Sequence, residues 1–154
     1  MIIIKHGDIL QAKENIICHQ VNVQGIMGGG LAKQIANTYP DVERKYQQYC
    51  KECNYGELMI GDYQAISVGS HKYIINCFTQ KPNFDTDYEA IKRVFSGLLE
   101  SCKKNGLSLA VPYGYGSNIA NGSWSKISQI FDELSDEYNV PIVVYRLERE
   151  NEKI

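Results

Sequence analysis

Residues 22–31 read Asn-Val-Gln-Gly-Ile-Met-Gly-Gly-Gly-Leu, so four of these ten residues are glycine. They follow an apolar run at 16–21 and precede a helical pattern that begins near Leu31. Glycines let backbone N–H groups approach a ligand closely, and the first N–H groups and the dipole of a helix favour an anion. The stretch therefore predicts a phosphate-binding turn, with a merely flexible connection as the alternative.

A second loop, residues 112–124, reads Pro-Tyr-Gly-Tyr-Gly-Ser-Asn-Ile-Ala-Asn-Gly-Ser-Trp and also joins a predicted strand to a predicted helix. Two such loops could close on one diphosphate from opposite sides, since backbone N–H groups neutralise it without lysines. Neither loop is followed by the Gly-Lys-Ser/Thr of a Walker motif, and residues 25–30 lack the G-x-G-x-x-G spacing of a dinucleotide fold. The pattern thus indicates a different kind of phosphate site.

His19 is the sharpest catalytic candidate, because it lies near the end of the apolar run and three residues before Asn22. Ligands of open α/β sheets bind beyond the carboxyl ends of strands. A histidine of ordinary pKa beside a phosphate could protonate a leaving oxygen or position a water. The alternative is a hydrogen-bonded structural histidine. Asp85 or Asp87 could orient the water, although Asp87 is also placed to cap the next helix.

The five cysteines argue for packing rather than for a metal site. Cys50 and Cys53 have C-x-x-C spacing, but the chain holds no second such pair and His71 is isolated. We expect Cys50 to pack on one face of a helix and Cys53 to lie near its end, and we predict no metal and no cofactor. An odd number of cysteines in a domain of this size indicates a reducing, cytoplasmic location.

Composition is that of an ordinary globular domain, with 154 residues, 44% hydrophobic and 22% charged. We expect one domain over residues 1–147, a charged tail at 148–154, and a monomer. The net charge of -2 argues against avid binding of nucleic acid or of an anionic membrane. No apolar run approaches the roughly 18–20 residues of a membrane span.

The elements that would position these residues alternate between strands and helices. Helical spacing of apolar residues begins at Leu31, resumes at Pro40, and recurs from Asp87 and from Ser123. Apolar or β-branched runs predict strands at 2–4, 16–21, 73–78, 107–111 and 141–147, with two short strand-like pieces within 57–68. This order predicts a three-layer α/β/α domain around a mixed sheet of about six strands.

Taken together, these segments resemble the macro domain over nearly the whole chain. The matching segments are Gly7-Asp8-Ile9, Asn22 with the glycines up to Leu31, and the loop 112–124. The chain is most similar to the small proteins that resemble ADP-ribose-1''-phosphate phosphatases, on the strength of Cys18-His19-Gln20-Val21-Asn22, the run 28–35, Tyr39-Pro40 and Cys77-Phe78-Thr79-Gln80. Several separated matches in the right order make this resemblance specific.

The resemblance implies a ligand with an ADP-ribose core, either a small molecule or an ADP-ribosylated macromolecule. Asp8 would accept the adenine amino group and Asn22 would bond the distal ribose, while Tyr145 would pack on adenine or else belong to the core. His19 matches the histidine of the phosphatase-like subgroup, and Asp87 is the second catalytic candidate. The predicted ligand-binding residues are Asp8, Ile9, Asn22, Gly25, Met27, Gly28, Gly29, Gly30, Leu31, Gly114, Tyr115, Gly116, Ser117, Asn118, Ile119 and Tyr145.

Departures from the family pattern leave the activity open. A related subgroup removes ADP-ribose from glutamate esters through a lysine and an aspartate. Lys81 lies about one position from that lysine, but Ala120 stands where the aspartate would be. Ser117 and Asn118 replace part of a usual Gly-Cys-Gly, and Asn118 adds a side chain near the distal ribose.

Three functional hypotheses therefore stand beside one another. The first is a hydrolase of ADP-ribose derivatives, either an ADP-ribose-1''-phosphate phosphatase or an ADP-ribosyl hydrolase. The second is a non-catalytic module that binds ADP-ribose nucleotides, for example a sensor of such nucleotides or a sponge of the phage type. The third is a nucleic-acid or interaction module unrelated to ADP-ribose, for which the charge balance gives poor support.

Overall fold

A computed structural model describes residues 1–56, 59–117 and 120–147 of the chain. Six strands form one mixed sheet in the order β1-β6-β5-β2-β4-β3, and all neighbours are parallel except the β3–β4 hairpin. The strands are β1 (Ile2–His6), β2 (Ile16–Val21), β3 (Tyr63–Gly69), β4 (Lys72–Phe78), β5 (Leu109–Pro112) and β6 (Ile142–Arg146). The helices are α1 (Gly30–Thr38), α2 (Pro40–Glu52), α3 (Tyr88–Asn105) and α4 (Trp124–Tyr138).

Two apolar cores, one on each face of the sheet, make this a three-layer α/β/α domain. Strand residues alternate between the faces, so Ile17 and Val21 of β2 pack toward α1 and α2, whereas Cys18 packs toward α3 and α4. The predicted fold class is confirmed, because the sheet is mixed, has six strands and is covered on both faces.

Most of the helix ends predicted from local sequence signals agree with the structure. Asp87 caps α3 by accepting a bond from the Ala90 N–H, Ser123 caps α4, and Gly106 ends α3 in the left-handed conformation. Pro40 begins α2, as a first-turn proline can. Cys50 is buried and Cys53 is the exposed end of α2, as expected.

Of the two strand-like pieces expected within 57–68, the second is β3 and the first is wrong. Only β3 is present in that region; Met59 and Ile60 lie in a turn, and residues 57 and 58 lie outside the described part of the chain. The Gly61 N–H donates to the Phe78 carbonyl, so this turn leads the chain onto the edge of the sheet instead of adding a strand. The predicted tail 148–154 also lies outside the described ranges.

The order of the strands creates a crevice at the carboxyl end of β2. The chain leaves β2 toward β3 and β4 on one side, and then crosses over to β5 on the other side. Ligands of such sheets bind at this kind of switch point. Within the ranges described above, no helix is long and apolar enough to span a membrane, and no three His, Cys, Asp or Glu side chains group as metal ligands would.

Candidate functional site

A cleft of about 450 Å³ opens where β5, β2 and β4 end, and both glycine loops form its walls. Its volume lies within the range of small-molecule sites. The first loop contributes Asn22, Ile26, Gly28, Gly29, Gly30, Leu31 and Ala32, and the second loop contributes Pro112, Gly114, Tyr115, Gly116 and Ala120. The structure therefore brings together two loops that are about 90 residues apart in the chain.

The first loop is shaped by the side chain of Asn22. Its Oδ1 accepts bonds from the N–H groups of Gln24 and Ile26 at 3.0 and 3.3 Å, and its Nδ2 donates to the Ile26 carbonyl at 2.8 Å. The buried Tyr46 hydroxyl, at 2.7 Å from both oxygens of Asn22, fixes the loop to α2. Asn22 thus keeps one amide hydrogen for the ribose contact that the resemblance predicts.

The N-terminus of α1 opens into the cleft without a side-chain cap. Gly29 is the N-cap residue, and the first bond of the helix joins the Lys33 N–H to the Gly29 carbonyl. The N–H groups of Gly30, Leu31 and Ala32 therefore have no partner within the helix. Gly30 has φ 58°, which favours glycine at this position. This helix end can bind a phosphate through backbone N–H groups alone.

A buried chain of hydrogen bonds fixes the second loop to β2 and β4. Because Thr79 Oγ1 donates to Gln20 Oε1 at 2.8 Å, the Tyr115 hydroxyl must be the donor in its 2.6 Å bond to Thr79. Gln20 Nε2 donates to Thr86 Oγ1, which in turn donates to the Gly116 carbonyl at 2.6 Å. Burial raises the pKa of Tyr115, so its hydroxyl keeps its proton. Tyr115 and Gly116 therefore form a rigid part of the wall of the cleft.

Tyr115→Phe is expected to destabilise the protein by about 1 kcal/mol. The Thr79 hydroxyl would lose the hydrogen bond that it accepts from Tyr115 but would keep the one that it donates to Gln20. Urea denaturation measures the change. Tyr138→Phe on α4 is the matched control, since Tyr138 is half-buried and its hydroxyl makes no hydrogen bond that the structure shows; its change should be near zero. Equal stability losses in the two variants would contradict the bonding described here.

His19 lies in the wall of the cleft but is only 2% exposed. Its Nε2 is 2.6 Å from Asn76 Oδ1, and Asn76 Nδ2 donates to Gln64 Oε1 at 3.0 Å. Because Asn76 Oδ1 can only accept, Nε2 carries the proton and Nδ1 presents a lone pair, which has no partner among the described residues. Burial outweighs the Asn76 bond and lowers the pKa of His19 to about 4.

The expectation that His19 titrates near neutrality is therefore not met. At neutral pH the ring is uncharged and cannot protonate a leaving group. Its Nδ1 can still accept a hydrogen bond, but the atom is buried, so a water or a ligand hydroxyl would have to reach below the surface of the cleft. The role that remains for His19 is that of an acceptor or base at the wall of the cleft.

Asp87 is not brought to His19 by the fold, and it does not line the cleft. Its Oδ1 caps α3, and its N–H donates to the Thr79 carbonyl. Asp85 accepts a bond from Asn83 Nδ2 within its own loop, and Lys81 is exposed. The described structure thus supplies no carboxylate to the lining of the cleft, although Asp87 remains untested as a catalytic residue.

The three predicted adenine-binding residues, Asp8, Ile9 and Tyr145, lie outside this cleft, on the turn after β1 and on β6. Asp8 is exposed and caps the short 3₁₀ turn Ile9–Gln11 through Oδ1, which leaves Oδ2 for a ligand. Tyr145 is half-buried and donates to Glu14 Oε1 at 2.6 Å. Burial and that carboxylate raise the pKa of Tyr145 to about 12. Tyr145 is therefore fixed in place by its bond to Glu14, and the packing of its ring on adenine remains a prediction.

The remaining predicted ligand-binding residues divide according to their packing. Gly25 lies against α2, with φ 82°, and Met27 is buried in the core under α1 and α2, so neither lines the cleft. Ser117 Oγ donates to the Gly114 carbonyl and also lies outside the lining. Asn118 and Ile119 fall outside the described residues.

Sequence reasoning left several residues that shape the site unassigned. Ile26, Gln80 and Phe84 line the cleft, and Gly122 supports the second loop from behind. Gln80 belongs to a matched motif, and Gly122 to a loop already singled out, so both could have been proposed. Ile26 likewise lies within the first loop, whereas Phe84 gave no signal, because an apolar residue in a loop has no periodicity to reveal its partner.

The chain is thus an α/β domain in which two glycine loops face each other across the carboxyl edge of a mixed sheet. A family model described as "Macro domain" matches residues 18–128. The chain therefore belongs to the macro-domain family, and the resemblance read from its sequence is confirmed.

Curated relatives of this chain act on ADP-ribose derivatives, according to their names. A DNA ADP-ribosyl transferase-DNA ADP-ribosyl glycohydrolase fusion protein of Thermosipho africanus is 27% identical over 90% of this chain and 40% of its own length. A DNA ADP-ribosyl glycohydrolase of Mycobacterium tuberculosis is 36% identical over 53% of this chain and 23% of its own length. An ADP-ribose 1''-phosphate phosphatase of Lodderomyces elongisporus is 25% identical over 85% of this chain and 88% of its own length. The chain thus spans less than half the length of the first two.

Solved structures share the fold. The macrodomain of Mycobacterium tuberculosis DarG superposes with a TM-score of 0.81 at 28% identity, over 94% of this chain and 97% of that one. Thermosipho africanus DarTG in complex with ADP-ribose superposes with a TM-score of 0.78 at 23% identity, over 94% of this chain and 41% of that one. At that identity the second comparison supports the fold alone.

Proposed function

We propose that this macro domain binds ADP-ribose, either free or as the ADP-ribosyl group of a modified macromolecule. The carrying observation is the pair of glycine loops that face each other across the cleft, with the uncapped N-terminus of α1 between them. No charged side chain lines the cleft within the described ranges, so the diphosphate would be held by backbone N–H groups. A monomeric, cytoplasmic protein remains part of this proposal.

Removal of the ADP-ribosyl group is the second candidate function. It is supported by the relatives named as glycohydrolases and phosphatases, and by the unpaired Nδ1 of His19 in the wall of the cleft. The net charge of -2 argues against tight binding of an unmodified nucleic acid backbone. A DNA substrate would therefore be recognised through its ADP-ribosyl group.

One experiment separates the two functions. The chain is titrated with ADP-ribose by calorimetry, and then incubated with ADP-ribose 1''-phosphate, ADP-ribosylated DNA and glutamate-linked ADP-ribosyl protein while products are followed. Binding of ADP-ribose supports recognition, and product formation that is lost in His19→Ala supports hydrolysis. Binding without any product leaves recognition alone, and the lack of ADP-ribose binding would overturn both candidates.

Ala32→Asp is expected to weaken ADP-ribose binding at least about tenfold, because it adds a negative charge to the helix end that would hold the diphosphate. Ala32→Asn is the matched control, since it has the same size without the charge and should lose much less affinity. Calorimetry at low and high salt measures both variants, and the difference between them should shrink as salt screens the charge. Equal losses in the two variants would place the diphosphate elsewhere.

A further inference from the structure

The strand β3 ends the sheet and leaves one side of its backbone without a neighbouring strand. It pairs with β4, and no other strand in the described part of the chain lies beside it. Edge strands usually carry lysine or proline, which discourages the addition of a further strand. Lys5 has this place on β1 at the opposite edge, but residues 63–69 contain no lysine, no proline and no charge. The edge of β3 is therefore open to strand addition.

Alternate residues of β3 direct their backbone groups away from β4. The Asp62 carbonyl accepts a bond of 3.0 Å from β4, and in an antiparallel pair every second residue faces the partner strand in this way. Gln64 and Ile66 follow Asp62 at that spacing, so the N–H and C=O groups of Ala65 and Ser67 point outward. The irregularity in the pairing lies beyond Ser67, which leaves these groups at the spacing of a regular ladder.

A groove of about 700 Å³ runs between this edge and α2. The four consecutive residues 64–67 form its strand side, so both faces of the strand and its backbone edge contribute. The outer face of α2, between Arg44 and Cys53, forms the other side. The Gln64 side chain joins the two sides, because its Nε2 donates to the Lys45 carbonyl at 3.2 Å. Four strand residues span roughly 13 Å, which is room for a short extended chain.

The charges that line the groove favour a carboxylate. Arg44 and Lys45 lie on its helix side and are both exposed. Arg44 pairs with Asp41 at 3.0 Å, whereas Lys45 makes no ion pair with any described residue. Glu52 is the single acidic side chain in the described lining, and it lies about two helical turns from Lys45. Two cations and one anion leave a net positive charge, concentrated near the start of α2.

We propose that this groove binds an extended peptide segment of a partner protein, which adds to β3 as a further strand and places a carboxylate beside Arg44 and Lys45. Hydrogen bonds to the outward groups of Ala65 and Ser67 would provide affinity that does not depend on the peptide's side chains. Charge-assisted bonds to the two cations would provide selectivity. A nucleic acid backbone would leave the outward groups of β3 unpaired, since it lacks the alternating donors and acceptors of a peptide.

This inference is independent of the proposed function, because the groove and the cleft share no lining residue. The test measures the binding of synthetic peptides of about eight residues to the full chain by calorimetry. The acidic probe alternates valine and threonine and carries aspartate at both ends. A basic probe has lysine in place of aspartate, and two further acidic probes are N-methylated at alternate residues, one in each register. The acidic probe should bind at least about tenfold more tightly than any of the others.

Amide hydrogen exchange, followed by NMR, locates the bound peptide. The acidic probe should slow exchange of the Ala65 and Ser67 N–H groups at least about tenfold, because each gains a partner. Exchange at Gln64 and Ile66 should change little, since their N–H groups already face β4. A peptide held only by its charges would not produce this alternation.

Two pairs of variants separate the backbone contribution from the charge. Ala65→Pro removes one outward N–H at an edge position where proline is tolerated, and it should abolish binding of the acidic probe, whereas Ala65→Ser should bind like wild type. Lys45→Glu should weaken binding at least about tenfold. Its matched control is Lys92→Glu, an exposed change on α3 at the other face of the sheet, which should stay within about twofold of wild type. ADP-ribose binding should be the same in all four variants and serves as the check of folding.

Several results would overturn the proposal. The acidic probe fails to bind, or binds as tightly when N-methylated in either register, or leaves exchange at Ala65 and Ser67 unchanged. Slower exchange at these two residues with rising protein concentration, without any peptide, would instead assign the edge to a second copy of the chain. Tighter binding of a single-stranded oligonucleotide than of the acidic probe, with loss in Lys45→Glu, would assign the cations to a nucleic acid.

Discussion

Gly122→Ala is expected to destabilise the protein by about 3 kcal/mol or more and to abolish measurable ADP-ribose binding. A methyl group on Gly122 would lie 2.4 Å from the Gly116 carbonyl oxygen and 3.0 Å from Ile127 and Thr86. The obstacle is backbone, so no side chain can turn aside to make room. The same carbonyl accepts bonds from the Gly122 N–H and the Thr86 hydroxyl, so the methyl group would displace the whole wall of the cleft.

Gly97→Ala is the matched control for this prediction. Gly97 lies inside α3, and a methyl group there would meet only Tyr63, at an ordinary contact distance of 3.7 Å. Since glycine weakens a helix, the substitution should raise stability by roughly 0.5–1 kcal/mol and leave ADP-ribose binding unchanged. Urea denaturation and calorimetry measure both variants. If Gly122→Ala binds ADP-ribose like wild type, the second loop is not the rigid wall described here.

Lowering the pH from 6.5 toward 4 should cost the protein about 3 kcal/mol of stability through His19 alone. His19 binds a proton near pH 6.5 in the unfolded chain, whereas burial lowers its pKa to about 4 in the folded protein. Between these values the unfolded state holds the extra proton and is favoured by acid. The contribution of His19 is thus fully present above pH 6.5 and is lost progressively as the pH falls through this window.

Comparison with His19→Gln isolates this contribution from that of the carboxyl groups. Glutamine is neutral at every pH and can still donate a hydrogen bond to Asn76. Between pH 6.5 and 4 the stability lost by His19→Gln should therefore be about 3 kcal/mol smaller than the stability lost by wild type. Urea denaturation at several pH values provides the slopes. Identical slopes in wild type and His19→Gln would show that His19 titrates freely.

Much of the fold could be predicted because its signals are local. The caps at Asp87 and Ser123, the stop at Gly106 and the start at Pro40 each depend on a few neighbouring residues. The region 57–68 was misjudged because Met59 and Ile60 are apolar for a different reason, namely packing in a turn beneath α2. Apolar residues in a short run do not reveal which element they belong to.

The site was predicted in part. The glycine loops indicated phosphate binding because close backbone approach needs glycine, and this local requirement is visible in any chain. The roles given to Asp8, Asn22 and Tyr145 came from the family resemblance. The structure adds that Asn22 is largely occupied in shaping its own loop, through a tyrosine 24 residues away that no local pattern connects to it.

The sequence by itself determined two features of this protein, namely two glycine loops that follow strands and helices whose ends are marked by capping residues, glycine or proline. Only the tertiary structure decided the charge state of His19 and the position of Gln80 and Phe84 in the wall of the cleft. Both depend on the order β1-β6-β5-β2-β4-β3, which removes His19 from water and places the end of β4 beside that of β2. Strand order arises from contacts between residues far apart in the chain, and spacing along the chain does not encode them.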